Sequence, residues 1–554
     1  MNGLIILVIS AGALAAAYLL YGRCLAKRWG VDPDRKTPAG ELEDGMEYVP
    51  TSPVVLFGHE FASIAGAGPI NGPIIAAMFG WLPVLLWLLF GTVFFGAVHD
   101  FAALYTSVRN QGKSIGYVIE LYVGKTGKCF FLIFVWLFSV LIAAAFADIV
   151  AGTFAGFGSG GERNPVNASV ASASSLFIAA ALGLGFFIRK RKASDLTSGI
   201  IAVDLLILCI VLGIFFPVYL PKQIWFCLVF VYIFTASVIP VWALGQPRNY
   251  LNSFLLIAMI LAAFIGVVFT SPRISIPAFT GFEVNGAYLF PSLFITIACG
   301  AISGFHSLVA TGAASKQISN EKHMLPISYG SMLVETLVAI LALIAVGSLA
   351  RNGVLPRETP PVIFATAVAG FLHQLGLPNQ ISFVIVSLAV SSFVLTTLDT
   401  VARLGRLSFQ ELFPPPADKK AGIPGLAGRV LTSKAAAGFF TLIPACLLAI
   451  TGYQNIWALF GAANQLLAAL TLIACVLFFK KSGKQVFMLC IPALIMLAVT
   501  FSSLALTIKS KIGLLYRGVF IPASDGLQLT IAGLLFFLGV LVVFSCVAKL
   551  RGRK

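Results

Sequence analysis

Gly58-His59-Glu60-Phe61-Ala62-Ser63-Ile64-Ala65-Gly66-Ala67-Gly68-Pro69-Ile70-Asn71-Gly72-Pro73 is the stretch on which the reading of this chain turns. It lies inside an apolar run long enough to cross a bilayer, yet Gly66, Gly68, Pro69, Asn71, Gly72 and Pro73 interrupt the helix such a run requires. Backbone N–H and C=O groups freed at bilayer depth cannot face lipid. They are tolerated only where they line a cavity or are buried in protein. In secondary transporters such interruptions hold substrates and ions near the midplane.

The rest of the sequence supplies the membrane. Of 554 residues, 59% are hydrophobic and 10% charged, whereas a soluble domain carries about 25% charged residues. No long polar stretch offers a soluble domain. The net charge of +16 resides in short basic loops, so it marks topology and contact with anionic membrane lipid rather than nucleic acid. The nine cysteines are scattered without a CxxC pair and read as small core residues. Residues 1–20 are apolar without a basic start, which predicts a retained first helix rather than a cleaved leader.

Apolar segments predict about 15 transmembrane spans: 3–21, 54–79, 82–106, 129–155, 172–188, 196–217, 224–244, 251–270, 290–312, 325–350, 379–402, 433–451, 455–479, 485–508 and 526–548. The short run 361–375 reads as re-entrant or interfacial. Most of the 37 Lys and Arg fall in alternate loops, densest at Arg189-Lys190-Arg191-Lys192. That bias predicts an outside N-terminus and an inside C-terminus, with a cytoplasmic loop at 403–432 that is non-helical through Pro414-Pro415-Pro416.

A second interruption lies at Gly300-Ala301-Ile302-Ser303-Gly304-Phe305-His306. Segments 54–217 and 290–479 are then each five helices led by a broken one, and the charge rule starts them on opposite sides. This predicts an all-α polytopic membrane protein with a LeuT-type inverted 5+5 helix repeat. Residues 1–53 (first helix and cytoplasmic loop), 218–289 (inserted helices) and 480–554 (two last helices) are additions.

Ionisable groups inside spans are costly and mark function by default. His59 and Glu60 lie on the first break and His306 on the second. With Ala65, Gly66, Gly68, Asn71, Ser303 and Gly304 they form the predicted substrate site. His99 and Asp100 read as a gate or proton path. Ser392, Thr396 and Asp399 share one helix face and suit a hard cation such as Na⁺, unless the hydroxyls bond back to their own helix. Asp204 and Glu335 read as a structural pair or anchor, and Asn464-Gln465 as a buried amide pair that ties helices or lines the path. No compact metal motif occurs, so neither a bound metal nor any other cofactor is expected beyond a transported H⁺ or Na⁺. A metal-containing membrane enzyme or sensor using His59, Glu60, His99 and His306 is the competing class, and an ion channel is a weaker third. A nucleotide motif or a soluble catalytic domain is lacking, which favours a non-enzyme.

Several of these segments together resemble the carbon starvation protein A (CstA) family of bacterial inner-membrane transporters. They are residues 58–73, Gly96-Ala97-Val98-His99-Asp100-Phe101, residues 300–306, Thr396-Thr397-Leu398-Asp399-Thr400-Val401-Ala402-Arg403 and Phe460-Gly461-Ala462-Ala463-Asn464-Gln465-Leu466-Leu467. The likeness runs from about residue 3 to 548. It implies uptake of small peptides during nutrient limitation, or pyruvate–proton symport as in some members, and kinship with amino acid–polyamine–cation transporters. Glu60 departs from members that look like Gly-His-His or Gly-His-Trp at this position. Its carboxylate would suit the ammonium of a peptide, which pyruvate lacks.

Overall fold

The computed structural model describes residues 1–45, 47–158, 160–191, 195–239, 244–413 and 430–551. The Pro-rich part of the 403–432 loop, the end of the Arg189–Lys192 cluster and the last three residues fall outside them.

Each of the fifteen expected segments falls on a helix or a broken helix. Among the described residues ten helices are long and apolar enough to cross a membrane, or eleven with the bent pair Pro53–Ile64 and Gly68–Phe79. Gly199–Phe215, Lys222–Val238 and Lys434–Ala449 are apolar but shorter. One element departs from the all-helical expectation: Glu283–Val284 pairs antiparallel with Ala287–Tyr288. Asn285 and Gly286 both have positive φ, as a two-residue hairpin turn demands.

The chain divides into two compact units. The first contains Met1–Leu4, Ser139–Ser275 and Ile344–Ile456. Its longest element is the unbroken helix Asn379–Glu411, which packs against Pro165–Arg191, Lys222–Val238, Gly245–Thr270, Pro360–Gln374 and Lys434–Ala449. Residues 361–375 are therefore a helix, largely buried against Asn379–Glu411.

The second unit contains Ile5–Phe138, Ile276–Leu343 and Trp457–Lys554. Both interrupted segments lie here. The first halts at Ile64, turns at Ala65 (φ −72°, ψ 70°) and resumes at Gly68 with Pro69 in its first turn, bent by 47°. Proline is tolerated there because a first-turn N–H has no intrahelical partner. The second is cut twice, into Leu289–Thr296, Ala298–Ala301 and Gly304–Gly312, with Ile302 and Ser303 extended. The two breaks pack on each other. Ala298–Ala301 lies against Gly68–Ala76, and Gly304–Gly312 lies against Pro53–Ile64. A Cβ on Gly68 would sit 2.3 Å from the Cβ of Cys299, so only glycine permits this approach. On the far side, Gly304 meets the backbone of Asn464 and Ala468 so closely that a Cβ would lie 2.4 Å from the Asn464 carbonyl oxygen.

Candidate functional site

The crossing is braced by side chains that take over the hydrogen bonds the helices surrender. Asn464 accepts from the Phe305 N–H (3.0 Å) and from the Ser303 hydroxyl (3.2 Å), capping the start of the Gly304–Gly312 helix. Thr92 and Thr336, 2.7 Å apart, both reach the Gly300 carbonyl at 3.2 Å and so satisfy an acceptor at the end of a four-residue helix. Gln465 donates to the Phe294 carbonyl. The amide pair expected to tie helices thus serves the second break.

On this scaffold the ionisable groups converge. Asp100 is the hub: Oδ1 lies 2.8 Å from His99 Nδ1 and Oδ2 lies 2.9 Å from His306 Nδ1. The opposite ring nitrogen, His306 Nε2, lies 3.2 Å from Glu335 Oε2, near enough for an ion pair though not aligned as a hydrogen bond. Glu60 is in electrostatic reach of both Asp100 and His306. Asp100, Glu60, His306 and Glu335 are each no more than 2% exposed, so every charge among them must be balanced inside the cluster.

Several polar atoms here make no hydrogen bond within the protein. Glu60 Oε2, both Glu335 oxygens, His99 Nε2, and both amide atoms of the fully buried Asn71 make no hydrogen bond. Half-buried His59 is likewise unpartnered at Nδ1. Buried polar groups are ordinarily satisfied, and unsatisfied ones mark a place for water, ion or solute. Ala65 and Ala67 of the first break are buried, and Gly66 donates its N–H to the Ile64 carbonyl (2.8 Å). Among the described residues no three His, Cys, Asp or Glu side chains are arranged to hold a metal ion.

Of the predicted site residues, His59, Glu60, Ala65, Gly66, Gly68, Asn71, Ser303, Gly304 and His306 fall on the two crossing breaks, and His99 and Asp100 join them. Asp100, expected with His99 in a gate or proton path, touches His306 directly through its carboxylate. Glu335 is not the partner of Asp204, because it faces His306 while Asp204 is exposed.

Ser392, Thr396 and Asp399 belong to the other unit, where Thr396 and one oxygen of Asp399 have partners of their own while the Ser392 hydroxyl and Asp399 Oδ1 make no hydrogen bond. Asp399 Oδ2 is bound by Arg248 and by the Tyr232 hydroxyl (2.8 Å), and Arg248 also contacts Tyr232 and donates to the Ser392 carbonyl (3.2 Å). Thr396 accepts from Asn252 (3.0 Å) and bonds back to the Ser392 carbonyl (2.9 Å). Asp148 in the same unit pairs with Lys222 (2.7 Å) and accepts from the Tyr453 N–H. The expected spans 224–244 and 251–270 leave Arg248 in a loop between them. It is fully buried at the start of Gly245–Thr270, and a lone Arg after Pro247 gave no sign of that.

Comparison with known proteins comes down on the same side. A family model described as carbon starvation protein CstA matches residues 2–355 and 348–503. A Bacillus subtilis protein named peptide transporter CstA is 35% identical, with 90% of this chain and 89% of that protein covered. An Escherichia coli protein named pyruvate/proton symporter BtsT is 32% identical, covering 92% and 82%. In fold, the chain is similar to the crystal structure of a manganese transporter from Eremococcus coleocola, a transporter of the LeuT fold. The TM-score is 0.52 at 10% identity, over 89% of this chain and 94% of that one.

Proposed function

This chain belongs to the carbon starvation protein CstA family, and on that premise we propose that it is a secondary active transporter taking up small peptides, coupled to H⁺ or Na⁺, during nutrient limitation. The observation that carries this reading is the crossing of two broken helices lined by buried polar atoms without partners, above all Glu60 Oε2 and Asn71. The N-terminus of the Gly304–Gly312 helix opens from the second break and carries partial positive charge, which suits a peptide carboxylate. Glu60 supplies the counter-charge for the peptide ammonium. His59, Ala65, Gly66, Gly68, Asn71, Ser303, Gly304 and His306 complete the substrate site, with His99 and Asp100 in ion coupling. Ser392, Thr396 and Asp399 are the ligands on which a sodium-coupled version would draw. Arg248 beside Asp399 weakens that version, since a fixed guanidinium already matches the carboxylate.

We place the chain in the cytoplasmic (inner) membrane with about fifteen spans, N-terminus outside, C-terminus inside, and two inverted five-helix repeats at 54–217 and 290–479. Transport without chemical conversion of the substrate is the activity, with no resident cofactor. Pyruvate–proton symport is the second reading, favoured by the likeness to the Escherichia coli protein of that name.

Uptake into proteoliposomes of labelled dipeptide against labelled pyruvate separates the two. Glu60→Gln abolishes peptide uptake in protein that remains folded. Undiminished peptide uptake by that variant contradicts the assignment.

A further inference from the structure

We infer that His306 is the group that carries the coupling proton, between Asp100 and Glu335. The inference rests on the transport reading above, in its proton-coupled form, and adds the identity of the proton's binding groups. His306 stands in the first turn of Gly304–Gly312, just beyond the second break. One ring nitrogen faces Asp100 Oδ2 at 2.9 Å and the other faces Glu335 Oε2 at 3.2 Å. A neutral imidazole has one N–H and can serve one of these carboxylates, whereas an imidazolium has two and serves both. Protonation therefore decides whether Glu335 is engaged.

Nothing else compensates Glu335: it is fully buried and neither oxygen accepts a hydrogen bond. The groups facing His306 come from three directions. Helix Ala97–Arg109 presents Asp100 with His99 behind it, helix Pro53–Ile64 presents Glu60, and helix Ser331–Leu349 presents Glu335. The charged neighbours of the three acids are each other and the two histidines. Hard metal cations take oxygen ligands, and here imidazole nitrogens stand between the carboxylates, an arrangement that suits a proton instead. Binding adds one H⁺ to the imidazole and release returns it, with no other bond made or broken. Because the first break adjoins the same helix, filling the substrate site and closing the His306–Glu335 contact involve the same packed elements.

The test uses the full chain in proteoliposomes at zero membrane potential. With one proton per peptide, an inward gradient of one pH unit gives about tenfold accumulation of labelled dipeptide. A sodium gradient at uniform pH gives none. In Glu335→Gln this accumulation disappears, while gradient-free counterflow falls by less than about threefold, a split between driving and binding. Glu335→Asp recovers part of the accumulation. In the wild type, which avoids any folding defect of the variants, adding dipeptide raises the external pH recorded by an impermeant dye. Sodium-driven accumulation, wild-type accumulation by Glu335→Gln, or no pH change during uptake would each overturn the proton site while leaving the transport reading intact. If pyruvate is the substrate taken up, the same arms apply with pyruvate. Absence of counterflow for both substrates in the wild type overturns the transport reading and this inference with it.

Discussion

In the unit that holds both broken helices, three carboxylates and two imidazoles are packed together, and five of their polar atoms find no hydrogen-bond partner in the protein. In the other unit, Asp399 is also buried but stands on an unbroken helix, and its charge is met at Oδ2 by a fully buried Arg248 and the Tyr232 hydroxyl, with Oδ1 alone left without a hydrogen bond. Both arrangements bear the cost of burying charge. The second meets it once, during folding, with a cation fixed in place. The first leaves the compensation to titratable imidazoles and to whatever enters the crossing. Buried charge that is matched by the protein reads as architecture, and buried charge left under-matched beside broken backbone reads as a site.

That contrast can be broken most severely at Arg248. Arg248→Met leaves Asp399 buried without its cation and is expected to lower stability by about 3–5 kcal/mol, read as thermal unfolding in detergent. Adding Asp399→Leu should return most of that loss, since an apolar pair carries no desolvation cost. A single variant as stable as the wild type would mean that Asp399 is not held as described.

A somewhat smaller effect, and of a different kind, is expected at Glu60. Glu60→Gln removes a charge-assisted contact to substrate, so dipeptide affinity should fall about 10–100-fold, the equivalent of about 1.5–3 kcal/mol, and uptake at substrate concentrations well below the weakened Kd is lost. The unfolding temperature should hardly move, because Oε2 has no partner in the protein to lose. A variant that melts early and binds normally would reverse the roles of the two clusters.

Gly304→Ala sharpens the geometric half of the comparison. The added carbon meets backbone of Asn464 and Ala468, which cannot swing aside, so a loss of about 1–3 kcal/mol is expected together with weaker peptide binding. The smallest effect is predicted for Thr396→Val, which removes one bond from Asn252 and costs about 1 kcal/mol in thermal stability. Uptake measured with and without sodium should respond alike in that variant. A sodium response that the wild type has and Thr396→Val lacks would restore the hydroxyl face as an ion site.

Much of the site was legible because local chemistry forced it. Pro69, Pro73 and the neighbouring glycines cannot continue a helix that lipid would demand, and Ser303-Gly304 repeats the signal. Glu60 and His306 stood out as ionisable residues in apolar runs. What escaped were the pairings. Asp100 and His306 are 206 positions apart, and Arg248 and Asp399 are 151 apart, so no periodicity links them. Glu335 looked like an anchor because a lone acid in a span carries no mark of which imidazole it faces. Arg248 falls between two expected spans because the apolar run begins only after it, whereas the helix itself starts at Gly245 and buries it. The hydroxyls of the 391–400 segment bond back to their own helix at Thr396, Thr397 and Thr400, the bland alternative that one-face spacing could not exclude.

The central claim is that two interrupted helices cross around a solute. The most direct test is an experimental structure of the wild-type chain with a bound dipeptide. The account predicts peptide density between residues 65–67 and 302–303, with the ammonium against Glu60 and the carboxylate toward the N-terminus of Gly304–Gly312. Continuous helices through those residues, or a peptide bound elsewhere, would contradict it.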